Sequence, residues 1–190
     1  MIRAIIFDCY GVLVRDGWLP FCERHFGDNA DLMEQAHSLS HAMNRGHISV
    51  QEYIDELAGM TGSEAAAVAA EINHNARNSE LFEWIRTLKP QYKMGILSNA
   101  GENVLEKLLG VDNVALFDAT VLSYEVGAVK PDARMYEAIA GKLGVVAKEC
   151  VFVDDQVLYC EGAKSVGMGV IPYVNNNQLK SDLKKHNIFL

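Results

Sequence analysis

The fold can be predicted by starting from the segment Ile5-Ile-Phe-Asp-Cys-Tyr-Gly-Val-Leu13. It closes a short apolar run, Ile2–Phe7, at a carboxylate, Asp8. A run this apolar is typical of a strand buried on both faces, as parallel sheets require. Four similar runs occur further along the chain: Met94–Leu97, Ala119–Leu122, Val151–Val153 and Gly169–Tyr173.

Helical patterns lie between these runs. Glu102–Leu109, Asp132–Leu143 and Gln156–Val166 each show helical periodicity and end near a glycine. Strands that alternate with helices predict an α/β domain with a Rossmann-like parallel sheet.

The segment directly after the first strand differs, because residues 15–78 contain no convincing strand. Gly17–Phe26, Ala30–Arg45 and Ser63–Arg77 have helical patterns, and Ser49-Val-Gln-Glu52 is a capping box that opens another helix. We therefore predict a core formed by residues 1–14 and 79–190, with a small helical cap, residues 15–78, inserted into it.

Composition limits the range of functions. The 190 residues carry a net charge of −8, which argues against nucleic acid, since phosphate backbones need clustered basic residues. The longest apolar runs are strand-sized, so we expect no membrane span. The four cysteines have no zinc or disulfide spacing, which indicates free thiols and a cytoplasmic location. We expect a monomer or homodimer.

Polar residues follow three of the predicted strands. Asp8, the pair Ser98 and Asn99, and the pair Asp154 and Asp155 stand at these ends. In an open α/β sheet, ligands bind outside the carboxyl ends of the strands. The sequence therefore predicts a cleft that contains three carboxylates.

Carboxylates this close repel each other unless a cation neutralises them, and Mg²⁺ prefers such oxygen ligands. Lys130, in the turn before a predicted helix, could stabilise charge on a phosphoryl group. Ser98 and the Asn99 amide could donate hydrogen bonds to phosphoryl oxygens. Asp8 would then attack phosphorus and form an aspartyl-phosphate, which water hydrolyses.

Four motifs in order resemble the haloacid dehalogenase-like (HAD) superfamily of hydrolases. They are Phe-Asp8-Cys-Tyr-Gly-Val-Leu, Leu-Ser98-Asn99, Val-Lys130-Pro-Asp and Phe-Val-Asp154-Asp155, and the helical block occupies the place of that superfamily's cap. The resemblance implies that Asp8 is nucleophile and metal ligand, with the backbone carbonyl of Tyr10, Asp154 and Asp155 as further ligands. It also implies that Ser98 binds the phosphoryl group and that Lys130 orients Asp8. The expected partner is a small phosphorylated molecule.

Tyr10 departs from this resemblance. Most phosphatases of the superfamily have Asp there, which protonates the leaving oxygen and then activates water. A phenol, with a pKa near ~10, donates a proton but is a poor base at neutral pH. The departure predicts slow turnover, or a preference for good leaving groups such as sugar 1-phosphates and acyl phosphates. Tyr159 also replaces an Asp or Asn that usually braces the lysine.

Two alternatives stay open. Tyr at position 10 resembles the 2-haloacid dehalogenase branch, whose members need no metal; Asp154, Asp155 and Val12 speak against it. A weakly catalytic binding or regulatory protein would explain the losses at Tyr10 and Tyr159, yet it would not need the retained acids.

The cap offers a few further candidates. Asp16 and His47 at its edges are the first guesses for a replacement acid. Trp18 and Phe21 could line a pocket, although their spacing favours packing within the cap. We expect the remaining cap histidines, His25, His37, His41 and His74, to be solvent-exposed or to make ordinary polar contacts.

Overall fold

A computed structural model describes residues 1–73 and 76–190; His74 and the part of the predicted helix Ser63–Arg77 at residues 74 and 75 lie outside the described residues. Five parallel strands form one sheet in the order β3-β2-β1-β4-β5. This confirms the predicted α/β class with a Rossmann-like parallel sheet. The strands are β1 (Ala4–Phe7), β2 (Lys93–Ser98), β3 (Ala119–Leu122), β4 (Cys150–Asp154) and β5 (Gly169–Pro172).

Helices connect the strands and follow the last one. They are α1 (Trp18–Phe26), α2 (Ala30–Asn44), α3 (Val50–Thr61), α4 (Ala65–Ile72), α5 (Ser79–Leu88), α6 (Leu105–Leu109), α7 (Val111–Val114), α8 (Ser123–Val126), α9 (Ala133–Leu143), α10 (Val157–Ser165) and α11 (Asn176–Lys185), with a short 3-10 helix at Ala147–Glu149.

The central strand β1 packs on both faces. Ile5 and Phe7 belong to one buried apolar cluster, and Ala4 and Ile6 belong to another on the opposite face. Phe7 pairs with both Ile96 and Val153, so β1 lies between β2 and β4. This register places Asp8 between the carboxyl ends of its two neighbours.

Helices α1–α4 form a third apolar cluster of their own. Phe21, Phe26 and Leu57 are among its fully buried members. The chain enters and leaves this unit side by side, because the Arg15 amide donates to the Ala76 carbonyl at 2.8 Å. The Asn78 amide likewise donates to the Leu13 carbonyl at 2.9 Å. The boundaries at residues 14/15 and 78/79 stay a prediction, and the paired linkers lie at those positions.

The capping box predicted at the start of the third helix is present. Ser49 Oγ accepts a hydrogen bond from the Glu52 amide, and the Glu52 carboxylate accepts one from the Ser49 amide. Among the helices of residues 1–73 and 76–190, none has the length and apolar character needed to cross a membrane.

Candidate active site

Asp8, Lys130 and Asp154 form a buried chain of charges at the carboxyl edge of the sheet. Lys130 Nζ lies 2.8 Å from Asp8 Oδ1 and 2.6 Å from Asp154 Oδ2. All three residues are at most 5% exposed. The Cys9 amide donates to Asp8 Oδ1 at 2.7 Å, and the Gln156 amide donates to Asp154 Oδ1 at 2.8 Å. Backbone donors at two strand ends therefore fix both carboxylates.

Asp155 completes the predicted acidic group. One carboxylate oxygen from each of Asp8, Asp154 and Asp155 lies within 4.8 Å of the others. Asp155 packs against Gly11, whose φ is +86°, and a Cβ on this glycine would lie 2.6 Å from the carboxylate. The loop after β1 thus needs glycine both for its backbone conformation and for the space that Asp155 occupies.

The electrostatics of this group favour an added cation. Burial raises the pKa of Asp8 well above its usual range; Lys130 opposes this effect, and Asp154 adds to it. Burial followed by repulsion from Asp154 raises the pKa of Asp155 to about 6. Lys130 stays charged, since burial would lower its pKa but Asp154 and Asp8 together raise it. Lys130 contacts two of the three carboxylates and carries one positive charge. The group therefore keeps a net negative charge that suits a divalent ion.

Ser98 lies at the end of β2, on the opposite side of Asp8 from Asp154. Its side chain is 1% exposed, and its Oγ finds no hydrogen-bond partner within the described residues. A buried hydroxyl without a partner costs free energy, so such a group points to a ligand that supplies one. A phosphoryl oxygen bound beside Asp8 fits this need.

Asn99 and Tyr159 hold the lysine in place. Asn99 Oδ1 accepts a hydrogen bond from the Lys130 amide at 2.8 Å, while its Nδ2 donates to the Lys130 carbonyl at 3.4 Å. The Tyr159 ring lies with its centroid 4.7 Å from Lys130 Nζ. A cation–π contact therefore stands where the resemblance implies an Asp or Asn brace. The carboxamide of Asn99 faces this loop, and its predicted contact with a substrate stays a prediction.

Tyr10 is partly buried at the rim of the site. Burial and the nearby acids raise the pKa of its phenol, so the hydroxyl stays protonated at neutral pH. In the described part of the chain, none of the backbone hydrogen bonds outside helices and strands is accepted by the Tyr10 carbonyl oxygen. That oxygen is therefore available to a cation, as the resemblance implies.

A cavity of about 540 Å³ connects these groups to the cap. Asp8, Tyr10, Ser98, Lys130 and Asp155 line its floor. The cap supplies the opposite wall, mainly from α1, α2 and α3. Gly101 packs against Met43, and the Ser123 hydroxyl donates to the Asn44 carbonyl, so the end of α2 rests on the core.

The cap candidates differ in their placement. Asp16 lines the cavity, and its carboxylate accepts hydrogen bonds from the amides of Trp18 and Leu19. Burial raises its pKa. His47 is exposed and lies outside the cavity lining. Phe21 is buried in the cap, whereas Trp18 both stacks on Phe21 and lines the cavity.

Several contributors to the cavity are not apparent from the sequence. Tyr53 and His37 face Trp18, with ring centroids 5.7 and 6.1 Å away. All three line the cavity. The sequence predicts only an exposed position or an ordinary polar contact for His37 and makes no prediction for Tyr53. Only the assembled cap shows that both side chains border the cavity above Asp8.

Fold and site together define a Rossmann-like α/β domain with a lysine-bridged acidic centre beneath a helical cap. The chain belongs to the haloacid dehalogenase-like hydrolase family, which matches residues 2–167. A HAD-like hydrolase structure from Porphyromonas gingivalis, 23% identical, shares the fold with a TM-score of 0.75 over 98% of both chains.

Two further similarities concern a solved structure and curated relatives. A HAD family enzyme from Bacteroides thetaiotaomicron, in complex with magnesium and inorganic phosphate, has a TM-score of 0.69 and 21% identity, covering 90% of this chain and 93% of that one. The sesquiterpene phosphatase astK of Aspergillus oryzae is 28% identical over 87% of each chain. Two other relatives, a Mycobacterium tuberculosis phosphatase and an Aspergillus calidoustus drimenol cyclase, are matched over only 24% and 37% of their own lengths.

Proposed function

We propose that this HAD-family hydrolase cleaves a phosphoric monoester of a small organic alcohol, with Mg²⁺ as cofactor. The observation behind the proposal is the buried arrangement in which Lys130 bridges Asp8 and Asp154 while Asp155 lies beside them. Dehalogenases of the same family need no metal and have no use for this acid pair. The sesquiterpene phosphatase among the relatives and the magnesium–phosphate complex of the structural neighbour support the same choice.

Asp8 is the nucleophile in this proposal. Both of its contacts with donors in the described chain fall on Oδ1, which orients the carboxylate and leaves Oδ2 for attack on phosphorus. The bond from phosphorus to the alcohol oxygen then breaks, and an aspartyl-phosphate forms on Asp8. Water hydrolyses this intermediate, which releases inorganic phosphate and restores the carboxylate.

The surrounding residues stabilise the charge that develops. Ser98 Oγ donates to a phosphoryl oxygen, and Lys130 neutralises the negative charge on Asp8 and the transferred group. Asp8, Asp154, Asp155 and the Tyr10 carbonyl would hold Mg²⁺, which supplies a positive charge next to the phosphoryl oxygens. The protonated phenol of Tyr10 can donate a proton to the leaving oxygen, and the phenolate then recovers a proton from solvent. In its protonated form the phenol is a poor base for the attacking water.

Phosphate release with and without Mg²⁺ tests the proposal. We expect hydrolysis of acetyl phosphate and of organic phosphate esters, abolished by EDTA and by Asp8→Asn. Asp112→Asn, an exposed carboxylate on α7, is the matched control and should keep full activity. Chloride release from 2-chloropropionate in EDTA would instead establish a dehalogenase. Neither activity, with Mg²⁺ still bound, would establish a binding protein.

The setting of this activity is also proposed. A small phosphorylated molecule is the partner, nucleic acid and membranes are not, and the protein acts as a monomer or homodimer. All four cysteines are free and buried, which suits a reducing compartment such as the cytoplasm.

A further inference from the structure

About half of the side chains on the cap wall of the cavity are apolar or aromatic. Trp18, Leu19, Val50, Tyr53, Ile54 and Ile72 line it. The Trp18 ring is only partly buried, although Phe21, Tyr53 and His37 pack around it. An aromatic surface left open to a cavity is a binding surface for apolar groups.

Several polar groups on the same wall already have partners within the protein, whereas the side chains of His37 and His41 face the cavity with no hydrogen bond from the described residues. Asp16 accepts from two backbone amides of α1. The Asn44 side chain donates to Ser40 Oγ, and the Asn73 side chain donates to the Ala69 carbonyl at 2.8 Å. A substrate with many hydroxyl groups needs several donors and acceptors that are open to it, because each unpaired buried hydroxyl costs free energy.

The size of the cavity adds to this argument. About 540 Å³ lies in the range of pockets that enclose a drug-sized ligand, roughly 300–1,000 Å³. A phosphoryl group occupies only the floor, near Asp8, Ser98 and Lys130. The remaining volume lies against the cap, so a substrate of two or three carbons would leave the aromatic surface uncovered.

We infer that the substrate is a monophosphate ester of a bulky apolar alcohol, with its hydrocarbon part against Trp18 and its phosphoryl group beside Asp8. This inference rests on the proposed phosphatase activity for its orientation. The binding of the hydrocarbon part follows from the cap wall alone. The cap thus selects by apolar burial, so this inference departs from the sugar 1-phosphates expected from the sequence and makes sugar phosphates poor substrates.

A homologous series of straight-chain alkyl phosphates, from ethyl to decyl phosphate, tests this selection. The alcohol's leaving ability hardly changes along the series, so the slope of log kcat/KM against chain length reports burial in the cavity. We expect a rise of about threefold to fourfold per methylene until the cavity is filled, which corresponds to ~0.8 kcal/mol each. A flat series, or glucose 6-phosphate as the preferred substrate, would overturn the inference.

Two pairs of variants locate the effect. Leu19→Gln on the cavity wall should flatten the series, whereas Leu39→Gln, which lines a different groove of the cap, should not. Trp18→Ala should lower the ratio of kcat/KM for decyl phosphate to kcat/KM for ethyl phosphate at least tenfold. Trp84→Ala, on the core helix α5, is its control. Equal losses in both members of a pair would contradict the assignment.

A binding measurement separates this inference from the proposed activity. The chain has two tryptophans, so Trp84→Phe leaves Trp18 as the reporter. Decylphosphonate, which is not hydrolysed, should change its fluorescence with saturation, and ethylphosphonate should bind at least tenfold more weakly. Acetyl phosphate turnover without this preference would refute the inference alone. Preferential binding without any phosphatase activity would refute only the proposed function.

Discussion

Lys130 Nζ lies 2.6 Å from Asp154 Oδ2, and both side chains are almost wholly buried. Breaking a buried pair from one side leaves an uncompensated charge, which costs about 3–5 kcal/mol. Lys130→Met should therefore lower the free energy of unfolding by about that amount at neutral pH and abolish turnover. Urea denaturation measures the first effect. Lys142→Met, which removes a half-exposed contact to Glu125, should cost less than about 1 kcal/mol.

Asn99 supports the backbone on both sides of Lys130. Asn99→Ala removes both contacts and should lower kcat by about 10–100-fold, the usual effect of losing a group that orients a functional residue. KM should change much less than kcat. Asn29→Ala is a useful comparison, because it removes only a helix cap, costs about 1 kcal/mol and should leave kcat unchanged. A KM effect without a kcat effect would instead place Asn99 against the substrate.

Gly11 and Gly46 both have positive φ angles, +86° and +75°. A Cβ added to Gly11 would meet the Asp155 carboxylate, whereas a Cβ added to Gly46 would meet nothing within 4 Å. Gly46→Ala should cost about 1–2 kcal/mol from backbone strain alone. Gly11→Ala carries the same strain and also drives a methyl group against the Asp155 carboxylate. We expect this variant to bind Mg²⁺ at least tenfold more weakly by calorimetry. Equal Mg²⁺ affinity in the two variants would show that Asp155 is not a ligand.

Asp155 makes the stability of the metal-free protein depend on pH. Its pKa of about 6 in the folded chain lies above its ordinary value of 3.8. Folded protein therefore binds the proton more tightly than unfolded chain, and this residue's contribution to stability is lost as pH rises through that interval. In EDTA, Asp155→Asn should become increasingly stable relative to the natural chain from about pH 4 to about pH 7. Saturating Mg²⁺ should reverse the order at the upper end.

Substitution of Tyr10 tests whether proton transfer limits turnover. Tyr10→Asp introduces a carboxyl group that can act as acid and base, a contribution worth roughly 10²–10⁴-fold in rate. We expect kcat for alkyl phosphates to rise, by about 10²-fold if the new group is well placed. Acetyl phosphate, with its good leaving group, should gain much less. An unchanged rate for alkyl phosphates would mean that another group, with Asp16 the first candidate, already transfers the proton.

The sequence predicts the floor of the site because its residues stand at strand ends. Asp8, Ser98 and Asp154 each follow or close an apolar run, and parallel strands bring such positions to one edge. Their mutual distances are then set by the sheet itself. Local pattern was enough for this part of the molecule.

The contacts that tune the site come from distant segments. The Tyr159 ring reaches Lys130 from α10, and Asn99 reaches it from the loop after β2. The family resemblance places Tyr159 near Lys130, but the residue pattern alone does not predict the ring contact or pair Asn99 with the Lys130 backbone. The sequence also places a helix start incorrectly. It predicts one helix over Glu102–Leu109, but α6 begins only at Leu105, and the Leu105 amide donates to the Asn103 side chain. A local side-chain contact there outcompetes the helix.

The position of β1 between two strands that are synthesised later delays its pairing during translation. This strand lies between β2, which begins at Lys93, and β4, which begins at Cys150. The four cap helices are translated before either partner, and they have an apolar core of their own. A nascent chain can therefore hold a folded cap while Ile5, Ile6 and Phe7 still wait for both neighbours. During that interval the strand that bears the nucleophile stays unpaired, with its apolar side chains exposed.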